Sequence, residues 1–162
     1  MMKILFICTH NRCRSVLAEA ITRQAAGGKI MAASAGSQPA GEVHPLTLKY
    51  LAERGINTTG LQSQSWDDLE SFAPDAVITV CDSAAGEACP LWLGDTLKVH
   101  WGLPDPSKLD GSEEEIHRAF FAVMDTLEDR VRYLSRLPLD EMSPDELEKA
   151  LNAAITTQKA ND

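Results

Sequence analysis

Cys8, Arg14 and Ser15 fall in one run, CTHNRCRS over residues 8–15, with five residues between the thiol and the guanidinium. A thiol attacks as its thiolate, and nearby N–H donors and cations favour that form. The run therefore predicts a Cys8 pKa below the ordinary thiol value. Arg14 adds a planar fork able to hold two oxygens of a tetrahedral oxyanion, and the Ser15 hydroxyl can hydrogen-bond the sulfur. Further along, HWGLPDPS places Asp105 between two prolines. A nucleophile that displaces oxygen from an oxyanion needs an acid for the departing oxygen, and a loop carboxyl can supply it. Taken separately, a strand-end cysteine is often a small apolar filler and Pro-Asp-Pro an ordinary turn. Their placement by the surrounding elements gives them chemistry.

Those elements alternate. KILFIC (3–8) reads as a buried parallel strand. SVLAEAITRQAA (15–26) is a helix with Val16, Leu17, Ala20, Ile21 and Gln24 at helical spacing, stopped by Gly27-Gly28. IMAASAG (30–36) is a second strand, and HPLTLKYLAERG (44–55) a helix whose apolar face is expected to carry Leu48, Leu51 and Ala52. DAVITVC (75–81) and TLKVHWG (96–102) are strands three and four. From Ser112, with Glu115 in capping-box spacing, a long amphipathic helix repeats Ile116, Phe120, Val123, Leu127, Val131 and Leu134. After Pro138 a further helix starts at Ser143-Pro144 with Glu146. Strands separated by helices predict an α/β fold, a four-stranded parallel sheet flanked by helices on both faces, with an extra C-terminal helix. Residues 1–137 are expected to form the catalytic domain and 138–162 a helical extension packed on it. The strand-to-helix turn at Cys8 then lies beyond the carboxyl end of the sheet, where a helix N-terminus and inward amides make an anion nest. Asp105, after the fourth strand, lies on the same edge.

Composition narrows the function classes. With 162 residues the chain reads as one domain. Fifteen basic against 24 acidic residues, net charge −9, argue against nucleic acid or an anionic membrane as partner, while a small anion responds to donors a few ångströms away. No apolar run is long enough to span a bilayer, and no secretory signal pattern opens the chain. Four cysteines in that setting read as reduced thiols of a cytoplasmic protein.

C-x5-R-S after the first strand and D-P after the fourth resemble the low-molecular-weight protein tyrosine phosphatase family, where they form the anion loop and the general acid. Within it the chain is most similar to the arsenate reductases, and VITVCDSAAGEACP carries that likeness through Cys81 and Cys89. Reduction of As(V) needs two electrons, which a thiol pair supplies on becoming a disulfide. The resemblance implies that Cys8 attacks arsenate held by the loop amides and Arg14 while Asp105 protonates the leaving oxygen. Cys81 then attacks Cys8, and Cys89 resolves the disulfide toward an external thiol reductant, either thioredoxin or glutathione with glutaredoxin. Loop residues Thr9, His10, Asn11, Arg12, Cys13 and Arg14 would line the substrate.

The chain departs from the family pattern at His10, where many relatives have glycine and a left-handed backbone would have to be tolerated, and at Arg12, expected to face solvent. Asn11 should brace the turn. Cys13 is assigned to packing, and Ser107 replaces the aromatic residue that follows Asp-Pro in the phosphatases, which leaves room for a small substrate. Asn11, Glu19 and Ser34 match positions that bind potassium in some of these reductases; a surface carboxylate and two turn residues are the plainer reading. No cofactor is expected to be tightly bound. The histidines show no metal spacing, and the cysteine spacings suit tetrahedral zinc poorly. The chain is expected to be a monomer or weak dimer. Two other functions remain at this point, a small-substrate or protein-tyrosine phosphatase and a non-catalytic oxyanion-binding module.

Overall fold

A computed structural model describes residues 1–81, 93–94 and 96–156. Four parallel strands run in the order β2-β1-β3-β4: β1 Met2–Ile7, β2 Ile30–Ala35, β3 Ala76–Thr79 and β4 Leu97–His100. Register is continuous across the sheet, with Ile4 opposite Ala32 on one side and Ala76 on the other. The apolar runs of β1 and β3 sit in the middle of the sheet and are buried on both faces, Leu5, Phe6, Val77 and Ile78 having no exposed surface. The helices are α1 (Arg14–Ala25), α2 (Pro45–Glu53), α3 (Glu113–Ser135) and α4 (Pro144–Ala153), and short 3-10 turns, among them Trp66–Phe72 and Pro106–Lys108, lie in the connections. The strands, α1, α3 and α4 fall within two residues of their expected bounds.

Both expected capping boxes form: Ser112 and Glu115 start α3, and Ser143 and Glu146 start α4, each pair exchanging side-chain and backbone bonds. The α3 stripe Phe120, Val123, Leu127, Val131 and Leu134 enters the core. On α2 the buried face differs from the one expected. Thr47, Tyr50 and Leu51 are buried while Leu48 is 37% exposed. The helix is turned by Tyr50, whose ring lies 4.8 Å from Phe120 and edge-on to His117 and Phe121. The Thr47 hydroxyl donates to the Arg12 carbonyl, so the same face ties α2 to the Cys8 loop. Leu147 and Leu151 of α4 are buried, and the Trp101 indole N–H donates to the Leu151 carbonyl at 2.9 Å, fixing α4 beside β4. Among the described residues no helix is long and apolar enough to cross a membrane.

Candidate active site

The chain leaves β1 at Ile7 and enters α1 at Arg14, and residues 8–13 make the turn. The turn's carbonyls are drawn outward. Thr9 O accepts from Gln38 N, His10 O from Ala40 N and Ser63 Oγ, and Arg12 O from His44 N and Thr47 Oγ1. Within the turn Asn11 N donates to Cys8 O at 3.2 Å, and α1 begins at Cys13 without a side-chain cap, so its first N–H groups remain for a ligand. Gly36, at the end of β2, lies against the loop, where a Cβ would stand 2.4 Å from Thr9 O and 2.5 Å from Cys8 O. Any side chain there would push the loop off the sheet.

The residue that takes the left-handed conformation is Asn11, with φ of 46°, and not His10 as the departure from glycine suggested. Asn11 suits that region, and its side chain is held at both ends. Its Oδ1 accepts from Gln64 N at 2.8 Å, and its Nδ2 donates to Ser15 Oγ at 2.7 Å. His10 stays exposed and places Nδ1 3.0 Å from Gln38 O. Asn11 and Ser15 are fully buried beneath the loop.

Cys8, Thr9, His10, Arg12, Cys13, Arg14, Cys81, Asp105 and Lys108 line one cavity of about 110 Å³. That is well below the roughly 300 Å³ at which sites for larger organic ligands begin. Arg14 donates Nη1 to Leu103 O at 2.9 Å and approaches Asp105 with Nη2 at 3.6 Å. Its Nε is buried and has no acceptor among the described residues. A buried guanidinium N–H of this kind fits an oxyanion's oxygen. Asp105 Oδ1 accepts from both the Ser107 amide and the Ser107 hydroxyl, at 3.0 and 2.6 Å, so serine at 107 orients the carboxyl.

Cys81 reaches the same cavity from the end of β3. Its Sγ accepts the Thr9 amide at 3.4 Å and lies 3.7 Å from Thr9 Oγ1. Cys81 also bonds Cys8, and the direction expected for the Cys8 pKa is thereby reversed. The hydrogen bond with Cys81 and then burial push the Cys8 thiol far above its ordinary value, with Arg14 pulling the other way. The loop amides and Arg14 were the only influences visible in CTHNRCRS; a second sulfur pressed onto the first was not. Cys13, 2% exposed, is pushed up to about 11 by burial and stays a protonated packing group at neutral pH. Cys8, Cys13 and Cys81 are thiols, with no disulfide among the described residues. Cys89 lies outside the described residues.

The expected potassium set forms one cluster behind the loop. Glu19 is 3% exposed, accepts the Ser34 hydroxyl on Oε1 at 2.6 Å, and pairs through Oε2 with Arg23 one turn along α1. Burial raises the Glu19 pKa, while the Ser34 bond and Arg23 oppose the rise. Gln64 carries no motif that marks it in advance, whereas Lys108 lies three residues beyond Asp105 and Arg23 stands at i+4 from Glu19.

Arg12 and Lys108 are exposed at the cavity rim of a chain of net charge −9. They form a local positive collar whose attraction for an anion is screened by salt. For an oxyanion substrate, kcat/KM is expected to fall severalfold between about 0.05 and 0.5 M salt, and the fall is expected to shrink in Arg12→Gln with Lys108→Gln. Stopped-flow or steady-state rates across a salt series check this.

A nucleophile loop, an acid loop and a parallel sheet in this order define a phosphatase-like oxyanion site. The model of the low molecular weight phosphotyrosine protein phosphatase family matches residues 3–151, and the chain belongs to that family. Among its curated relatives is the arsenate reductase of Halalkalibacterium halodurans, 35% identical over 129 residues that cover 80% of this chain and 91% of the relative. Among solved structures, an Archaeoglobus fulgidus arsenate reductase superposes with a TM-score of 0.67 at 28% identity, covering 83% of this chain and 99% of that one. A thioredoxin-dependent arsenate reductase of Corynebacterium glutamicum superposes with a TM-score of 0.63 at 31% identity, covering 84% of this chain and 61% of that longer chain.

Proposed function

We propose that the protein reduces arsenate to arsenite in the cytoplasm, using Cys8, Cys81 and Cys89 as a thiol relay re-reduced by a thioredoxin-type dithiol protein. The observation that carries this reading is the Cys81 sulfur lying on Cys8 inside the oxyanion loop, where Thr9 N–H donates to it. Ester hydrolysis has no use for a second thiol at that place. Reduction requires one.

Arsenate entering the loop competes for the Thr9 N–H that Cys81 now holds. Moving that sulfur aside removes the largest cause of the raised Cys8 pKa, and Arg14 then favours the thiolate. Cys8 Sγ bonds to arsenic while one As–O bond breaks, and Asp105 protonates the departing hydroxyl, which leaves as water. The Cys81 thiolate next attacks Cys8 Sγ. The S–As electron pair goes to arsenic, which departs as As(III), and a Cys8–Cys81 disulfide remains. Cys89 attacks Cys81 and frees Cys8, and the external dithiol takes up the oxidation from Cys81–Cys89. The dithiol donor is favoured by the likeness to the thioredoxin-dependent Corynebacterium enzyme.

Arsenite formed per protein, measured beside para-nitrophenyl phosphate hydrolysis in the same sample, tests the reaction. Arsenite formation sustained by thioredoxin and thioredoxin reductase supports the reading; turnover only with glutathione and glutaredoxin would move the donor, and phosphate hydrolysis without arsenite would replace the reaction. Asp105→Asn is expected to lower the rate of the first step by about 10² to 10⁴, seen as slower single-turnover arsenite release. The amide retains the Ser107 contacts as acceptor but has no acidic proton to give.

A further inference from the structure

The family's potassium set and the side chains around it do not fit each other here. Both Glu19 oxygens accept from protein donors, Oε1 from the Ser34 hydroxyl and Oε2 from Arg23, and Asn11 Oδ1 accepts from Gln64 N. A cation at these oxygens would have to share them with three donors and would meet the like charge of the Arg23 guanidinium already paired with Glu19. Arg23 is itself anchored from a second direction, its Nη1 donating to Thr59 O at 3.3 Å. From Glu19 the hydrogen bonds run on without a break. Ser34 O accepts from Gln64 Nε2 at 2.9 Å, Gln64 N donates to Asn11, and Asn11 Nδ2 donates to Ser15 at the foot of the Cys8 loop.

We propose that the Arg23 guanidinium takes the place of a bound monovalent cation, neutralising buried Glu19 and positioning the oxyanion loop through Ser34, Gln64 and Asn11. An uncompensated buried carboxylate is costly, and α1 supplies the positive charge at i+4 from Glu19. Arg23 is a positioning residue: it acts on the loop through Glu19 and touches no reacting atom. The inference rests on Cys8 to Arg14 being an oxyanion loop and on nothing about arsenate turnover.

The test uses the reduced full chain in potassium chloride or tetramethylammonium chloride at equal ionic strength, with inorganic phosphate as the probe anion. Two quantities are read, the thermal midpoint and the phosphate Kd. Wild type is expected to give the same values in both salts. Arg23→Ala, a change at a side chain 42% exposed, is expected to weaken phosphate binding about fivefold in tetramethylammonium and to lower the midpoint, with potassium recovering part of both losses. Arg23→Lys is expected to keep both near wild type, and in a Glu19→Gln background Arg23→Ala is expected to cost nothing further. A potassium-specific gain in wild type, an Arg23→Ala protein unchanged in both salts, or losses that potassium does not recover would each overturn the proposal. The melting arm reads Arg23 whether or not the loop turns arsenate over, so the failure of the reductase reading would show separately, as absent arsenite.

Discussion

Cys8→Ser is expected to lower arsenite formation by about 10⁴-fold or more while the thermal midpoint stays within a few degrees of wild type. A hydroxyl at that place keeps the size of the side chain, which is 7% exposed, but cannot ionise near neutral pH or give electrons by forming a disulfide. Phosphate should still bind, because the loop amides and Arg14 remain. Arsenite assay, differential scanning fluorimetry and phosphate titration of one preparation check the three statements together. Wild-type rates in Cys8→Ser would remove the nucleophile from the account.

Cys81→Ala is expected to produce two effects of opposite sign. Steady-state arsenite release should fall by about 10² to 10³, because the sulfur that attacks the Cys8–arsenic adduct is gone. Cys8 itself should become easier to ionise. Its largest upward influence is the Cys81 hydrogen bond, and without it only burial and the smaller effect of the Asp105 charge oppose Arg14. In wild type the Cys81 hydrogen bond and burial hold the Cys8 thiol above the ordinary range, so iodoacetamide labelling of Cys8 is expected to be slow at neutral pH and to rise in alkaline solution. In Cys81→Ala the whole labelling profile should move to lower pH. Peptide mass spectrometry of Cys8 across a pH series reads the shift. A profile that stays in place, or moves up, would contradict the thiol pair.

What could be read from the residues alone was whatever depends on neighbours in sequence. Apolar runs, capping boxes at Ser112 and Ser143 and the glycine stop at Gly27-Gly28 are local signals, and the sheet with its helices followed from them. The meeting of Cys8 with Asp105 also followed, since both lie after parallel strands at one edge. Contacts across the fold were hidden. Which face of α2 turns inward depends on Tyr50 meeting α3, and the apolar spacing of Leu48, Leu51 and Ala52 held no trace of it. His10 was suspected of the left-handed backbone because relatives have glycine there, yet the bonds from Gln64 and to Ser15 fasten the turn at Asn11. The rise in the Cys8 pKa was hidden for the same reason, as Cys81 is 73 positions away in the chain but in hydrogen-bond contact in space. Arg23 had a sequence signal, an opposite charge at i+4 from Glu19, which means little on a helix surface and much for a carboxylate 3% exposed.

The central claim is that two thiols of this chain supply the electrons for arsenate. A single turnover of Cys89→Ser with one equivalent of arsenate, quenched by alkylation and digested for mass spectrometry, tests it most directly. The account requires about one equivalent of arsenite and a Cys8–Cys81 linked peptide pair in matching amount. Arsenite released while both Cys8 and Cys81 are recovered as alkylated thiols would contradict it.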